Sequence, residues 1–595
     1  MNCYQPNYPR PQFVRDKTSW QNLNGPWDFA FDNAGNGDAN EGIAKKWFAS
    51  FPAGQKITVP FAFESPASGI TAPNQNPARH DVVWYRKEIA IASEKLSGRV
   101  FLHFEGSDYN TRLWVNGEYA GSHDGAYSRF SFDITHLVKP GTNTLTVRAE
   151  DSFDISQPRG KQRWRNESYD CFYIQTTGIW KTVWLEYTGL EYLKSVKMTP
   201  VFSKGILEIE AEFEAIYPDY ELEALISFNG TFVSKTSVSV TGKILFFTAA
   251  VFTPAIQEHN RRYFAWSPEK PNLYDISFTL KKNGKPIDEV LSYFGMRELR
   301  IEGSHVLLNG VPLYQKLILD QGYWKDSHMT PPDEKALITD IDSIISAGFN
   351  GARKHQKAEE QFLYWADVKG LLVWSEMAAA YEYNDNAVTA FTKEWMEVVR
   401  QNYNHPSIIT WTPFNESWGI PNVKTDKQQQ AFTEAIYHLT KAYDIHRPVI
   451  CNDGWEHTIS DIITLHDYIE KGEDFLALFG GHLDAILANE QQYCINRFAF
   501  ANGYSYTGQP IILSEYGGIA FNDDRGFGYG NKVNTKEEYL NRFDAITTAV
   551  KKVHAISGYC YTQVTDIQQE INGIMDMDRN FKVDSKKLKE INEKR

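Results

Sequence analysis

Apolar and polar residues alternate along the first third of the chain. Val100, Leu102 and Phe104 share one face of a period-two stretch, with Phe101, His103 and Glu105 on the other. Leu113 and Val115 then run into Asn116-Gly117, and Leu145, Val147 and Ala149 repeat the pattern after Pro140-Gly141. Period two marks strands, and Asn-Gly between two such runs marks a tight hairpin. With helical periodicity nearly absent, residues 1–189 read as a jelly-roll-like β-sandwich.

Residues 190–297 continue in strands. They include LEIEAEFEA and TFVSKTSVSV, and they end in ISFTLKKNGKPIDEVLSYFGMR with a second Asn-Gly turn at Asn283-Gly284. About a hundred residues of short strands fit an immunoglobulin-like sandwich.

From residue 298 to 595 strands alternate with helices. Between Asp333 and Gly348 the pattern places Leu337, Ile341, Ile344 and Ile345 on one helical face, with Asp333 as N-cap and Gly348 at the C-terminal stop. Eight short apolar runs follow one another near 314–319, 349–353, 371–375, 408–414, 448–452, 462–467, 511–515 and 557–563. Eight strands separated by helical segments predict a (β/α)8 barrel.

Composition narrows the function. A formal charge of −14 argues against duplex nucleic acid as a partner and gives no attraction to an anionic membrane. No apolar run is long enough to span a bilayer, and the N-terminus lacks the apolar core of a signal peptide, so a cytoplasmic protein is expected. The five cysteines (Cys3, Cys171, Cys451, Cys494 and Cys560) are scattered without CxxC spacing, which predicts neither a disulfide framework nor a zinc site. Aromatic residues make up 14% of the chain, an excess that suits sugar binding as well as core packing.

Catalytic groups of such barrels sit at the C-terminal ends of strands. Four carboxylates follow apolar runs there: Glu376 after GLLVWS, Glu416 after IITWTPFN, Asp467 after DIITLH and Glu515 after PIILS. Asn415 precedes Glu416 and can hold a substrate hydroxyl. Gly517-Gly518 follows Glu515 by two residues, and the pair is expected to let a ligand approach the backbone. Strands four and seven face each other across a barrel mouth, so Glu416 and Glu515 can flank a sugar, as glycoside hydrolysis requires.

Here the chain resembles glycoside hydrolase family 2, which contains bacterial β-galactosidases, β-glucuronidases and β-mannosidases. The resemblance rests on LNGPWDF, LWVNGEYAGSHDGAYSRFSFDIT, TTGIWKTVWLE, YFGMR, LNGVPLY and the blocks around Asn415-Glu416 and Glu515, and it extends over nearly the whole chain. It implies retaining hydrolysis of a terminal β-linked sugar, with Glu416 as acid/base and Glu515 as nucleophile. Repulsion from ionised Glu515 is a physical route to keeping the acid protonated.

Other roles follow by resemblance. Asn415 is expected at the sugar 2-hydroxyl, and Tyr468, in His466-Asp467-Tyr468, is expected to orient Glu515. Tyr561 or Trp374 would form the floor under the ring. Asp151 lies in a loop that in relatives reaches from the first domain into the barrel mouth.

Two departures from the family stand out. The segment Glu376-Met-Ala-Ala-Ala380-Tyr-Glu382 lacks the paired Glu and His that ligate metal in large β-galactosidases, so no metal and no cofactor are expected. After strand two, Arg353-Lys354-His355-Gln356-Lys357 replaces the common Arg-x-x-His-Tyr-Pro. Its cations read as solvated loop charges, with contact to a substrate carboxylate as the alternative.

At the position of the β-glucuronidase Asn-x-Lys stands Asn572-Gly573-Ile574, without lysine, and the literal Asn580-Phe581-Lys582 follows Asp578-Arg579 where the family's motif precedes that block. β-Galactosides are therefore the first expectation, by family frequency, with galacturonides next. A transglycosylase would use the same residues, whereas a binding-only protein would have no need of both glutamates. The expected partner is a glycoside or oligosaccharide, and the sequence leaves a homo-oligomer open.

Overall fold

The computed structural model describes residues 4–32, 41–70, 79–215, 219–252, 263–357 and 359–594. Cys3 lies outside them, and the four described cysteines are free thiols.

The first domain is a sandwich of a six-stranded and a four-stranded antiparallel sheet. Val100, Leu102 and Phe104 point into its core beside Phe29, Leu113, Val147 and Leu185. The hairpin at Asn116-Gly117 forms as its residues dictate. Val115 pairs with Glu118, and the two turn residues take φ of +53° and +85°. The opposite face of strand Arg99–Phe104 is not solvated. His103 is buried there, with Nε2 3.0 Å from Glu186 and its ring stacked on Trp184.

The second domain packs a three-stranded sheet on a four-stranded one around Leu207, Ile209, Leu222, Ile276 and Phe278. Its Asn283-Gly284 turn joins Tyr274–Lys282 to Lys285–Phe294.

All eight expected barrel strands are present. Seven form one parallel sheet: strand one (Gln315–Asp320), two (Gly351–Lys354), three (Leu372–Glu376), four (Ile408–Thr412), six (Ile463–His466), seven (Ile511–Gly517) and eight (Ile556–Thr562). Strand five, ending in Asn452–Asp453, closes the ring. Trp411 pairs with Val449 and Phe414–Asn415 with Asn452–Asp453, and His466 N bonds to Gly454 O at 3.3 Å. Leu317, Leu319, Leu372, Trp374, Ile409, Ile512 and Cys560 fill the barrel interior.

The helix Glu334–Ser346 starts where expected, with the Asp333 side chain accepting Ala336 N at 2.8 Å. It buries Leu337, Ile341 and Ile344 against the barrel, but Ile345 is 37% exposed. A helix turns 100° per residue, so adjacent Ile344 and Ile345 cannot both face inward.

The loop 151–177 leaves the first domain and crosses to the barrel. Arg159 N and Gly160 N bond to Ala379 O, Ser168 Oγ bonds to Gln568, and Tyr173 OH accepts from Gln321 Nε2 at 2.9 Å.

Candidate active site

The strand-end carboxylates meet at the barrel mouth around two cations. Arg353, at the end of strand two, is fully buried. Its Nη1 donates to Glu515 Oε1 at 2.9 Å and to Ser514 O at 3.1 Å. Its Nη2 lies 2.8 Å from both Glu376 Oε1 and Asp453 Oδ2, and donates to Asn415 Oδ1 at 2.6 Å. One guanidinium fork thereby sets the positions of strands two, three, four, five and seven.

His466, at the end of strand six, is the second cation. Nδ1 is 2.9 Å from Glu416 Oε1 and 3.6 Å from Glu515 Oε2, while Nε2 is 3.2 Å from Asp453 Oδ2. Burial pushes its pKa down, but Glu515 and Asp453 outweigh that and raise it to about 10. At neutral pH an imidazolium therefore stands between the two glutamates. Gly454 makes room for it, since a Cβ there would come 2.7 Å from His466 Nδ1.

Burial raises the Glu515 carboxyl as well, yet His466 and Arg353 outweigh it and hold Glu515 below its ordinary range. Tyr468 donates its hydroxyl to Glu515 Oε2 at 2.5 Å. The Tyr468 ring lies flat on Tyr529, with centroids 3.7 Å apart, so its aim at Glu515 is fixed.

Glu416 is presented by a strained turn. Glu416 and Ser417 both have positive φ, +53° and +61°. Each left-handed residue costs on the order of 1–3 kcal/mol, which the surroundings must offset. Strand five does this. Glu416 N donates to Asp453 O at 2.9 Å, Ser417 N to Asn452 Oδ1 at 3.0 Å, and Ser417 Oγ to Glu456 at 2.8 Å.

Near Glu376, His355 Nδ1 is 2.6 Å from Oε2. Burial, Lys161 and Arg353 hold His355 well below its usual pKa, so it is neutral. Burial pushes Glu376 up to about 7 against the pull of Arg353. Among the described residues Asn415 Nδ2 has no hydrogen-bond partner, although its Oδ1 is fixed by Arg353.

Several expected residues lie elsewhere. Trp374 is barrel core, with Nε1 bonded to Gln315 at 2.8 Å. Tyr561 points outward to the helix layer, where its hydroxyl meets that of Tyr539 at 2.9 Å. Tyr561 cannot underlie a sugar in the mouth, because strand residues alternate between barrel interior and helix layer and this one faces the helices.

Asp467 accepts Ile469 N at 2.8 Å and braces its own loop. Asp151 is buried against Arg159 at 3.1 Å, inside the crossing loop. Gly517 and Gly518 leave space for the rings of Tyr561 and Tyr529, not for a ligand.

The basic segment is not a solvated loop. Lys354 is buried 2.9 Å from Asp320, and Lys357 is buried 2.7 Å from Glu359. Both Arg353 Nη atoms are spent on three carboxylates, Glu376, Asp453 and Glu515. The partners Asp320, Glu376, Asp453 and Glu515 come from distant segments, which the local pattern of charges does not reveal, whereas Glu359 lies two residues beyond Lys357.

Asp453 is the residue that sequence reasoning missed. It follows the apolar run of strand five, so the strand-end rule that selected the other four carboxylates applies to it too. Glu416, His466 and Glu515 bring one ligand atom each within 4.8 Å of one another, a spacing that could hold a metal.

A (β/α)8 barrel with paired strand-end glutamates, preceded by two β-sandwiches, is the architecture of a glycoside hydrolase. The chain belongs to glycoside hydrolase family 2. Residues 20–188 match the sugar binding domain of the glycosyl hydrolases family 2, residues 192–297 the family's central domain, and residues 299–594 its TIM barrel domain.

A putative β-glucuronidase of Formosa agariphila is 29% identical over 62% of this chain and 44% of its own length. The chain thus spans less than half of that relative. The β-glucuronidase of Chlorocebus aethiops is 25% identical over 87% of this chain and 81% of its own. A crystal structure of the β-galacturonidase from Eisenbergiella tayi bound to galacturonate superposes with a TM-score of 0.74 at 21% identity, covering 98% of this chain and 99% of that one.

Proposed function

We propose that the chain hydrolyses terminal, non-reducing β-linked uronides with retention of configuration, Glu416 acting as acid/base and Glu515 as nucleophile. One observation carries the catalytic reading. Carboxylate oxygens of Glu416 and Glu515 approach within 4.8 Å at the ends of strands four and seven. Retaining enzymes hold their carboxyl groups about 5–5.5 Å apart, whereas inverting ones need about 6.5–9.5 Å to admit a water.

In the first step Glu416 gives its proton to the glycosidic oxygen as the C1–O bond breaks and Glu515 bonds to C1. In the second, Glu416 takes a proton from water, whose oxygen displaces Glu515 and restores both carboxyls. The unpartnered Asn415 amide is free to donate to the sugar 2-hydroxyl.

The uronide is supported by the relatives at 29% and 25% identity, both described as β-glucuronidases. β-Galactosides, the first expectation from sequence, are not what these two relatives are named for. Ile574, where the family's β-glucuronidases carry lysine, favours galacturonide over its C4 epimer glucuronide.

A panel of nitrophenyl β-galacturonide, glucuronide, galactoside and glucoside tests the reading. A uronide should have the highest kcat/KM, and NMR should show the β-anomer released first. Fastest turnover of a neutral galactoside would overturn the uronide, and initial release of the α-anomer would overturn retention.

A further inference from the structure

Lys161 sits on the loop that crosses from the first domain to the barrel mouth. Its carbonyl accepts Tyr173 N at 2.8 Å, and its neighbour Gly160 is tied to the barrel through Ala379 O and the Tyr381 hydroxyl. The side chain is therefore aimed by two domains at once. Its Nζ stands 4.4 Å from the ring of Trp418, two residues beyond Glu416, and 5.8 Å from that of Phe172.

The residue is only 8% exposed. Around the same mouth Arg353, Lys354, Lys357 and Lys582 each hold a carboxylate at ion-pair distance. Among the described residues Lys161 has none. A buried ammonium without a counter-charge is costly, and contact with an aromatic face offsets only part of that cost.

Glu570 is the carboxylate that acts on Lys161 most strongly, but its oxygens are turned to the Asn572 amide and the Tyr173 hydroxyl, and it makes no ion pair with Lys161. Burial pulls the Lys161 pKa down, while Cys171, Glu570, Glu416 and Glu515 together raise it, so the ammonium keeps its charge. Ile574 is buried and apolar and supplies no cation from the strand-eight side. Lys161 thus stands at the mouth without a carboxylate at ion-pair distance among the described residues.

We infer that Lys161 is the specificity-determining residue of the site, forming a salt bridge to the C6 carboxylate of the bound uronide. The inference rests on the uronide reading above. The first domain would then complete the substrate pocket of the barrel.

The test compares wild type, Lys161→Gln and Lys161→Arg on nitrophenyl β-galacturonide and β-galactoside, with melting curves to confirm folding. A charge-assisted pair at a buried site corresponds to roughly ten- to a hundredfold in kcat/KM. Lys161→Gln should lower the uronide-to-galactoside ratio by that factor, and Lys161→Arg should recover part of it. Where the galactoside is too slow to follow, the inhibition constants of free galacturonate and galactose give the same ratio.

A wild type that favours uronides beside a Lys161→Gln variant with an unchanged ratio would overturn the inference alone. A wild type that does not favour uronides would overturn the uronide reading, and the inference with it.

Discussion

Arg353 Nη1 donates to Glu515 Oε1 at 2.9 Å, and both side chains are buried. The arginine thereby holds the proposed nucleophile directly. Replacing Arg353 with alanine would leave Glu376, Asp453 and Glu515 together without their shared cation. Removing one partner of such a buried set costs about 3–5 kcal/mol, which calorimetry should register as a lower Tm. Arg353→Lys keeps the charge but not the fork, so kcat should fall much more than KM changes. Galacturonide and galactoside turnover should fall alike, in contrast to the Lys161 variants.

Glu515→Gln should reduce hydrolysis by several orders of magnitude, because an amide cannot form the glycosyl-enzyme. The variant should still fold, since Glu376 and Asp453 continue to pair Arg353. Circular dichroism and a substrate assay check both halves, and near-normal rates would remove Glu515 from its role.

Glu416→Ala should slow substrates with poor leaving groups far more than activated aryl glycosides. Added azide should restore part of the rate by attacking the glycosyl-enzyme directly. Equal loss on both substrate types, with no rescue, would give Glu416 a different function.

His466 should leave its mark on stability at alkaline pH. Its pKa is raised from 6.5 to about 10 in the folded protein. Folding therefore favours the protonated form. That contribution is fully present below about pH 6.5 and is lost as pH rises through about 10. The wild-type Tm should decline over this window, and in His466→Gln the decline should be shallower. Parallel curves for the two proteins would show that His466 does not carry the charge assigned to it.

The barrel was legible in the sequence because each strand carries its own apolar run and each connecting helix its own periodicity. Glu416 and Glu515 were legible for a related reason, since strand ends of such a barrel converge on one mouth. Asp453 follows the same rule at the end of strand five. Tyr468 could be placed because it lies two residues beyond strand six, close to the glutamate it orients.

Local pattern could not assign Trp374 and Tyr561. Both are aromatic residues on barrel strands, and only the closed ring decides which side chains fill the interior, which face the helices and which reach the mouth.

The chain's own sequence determined the elements, their order and the strand ends that carry carboxylates, because these depend on neighbours within a few residues. Tertiary structure alone decided what each charge does. Arg353 and Lys354 are adjacent in sequence, yet they meet Glu515 and Asp320 from separate parts of the fold. Lys161, far from the barrel in sequence, comes to Trp418 beside Glu416. Charge pairing acts through space over a few ångströms, so its partners are set by the packing of distant segments and leave no periodic trace in the chain.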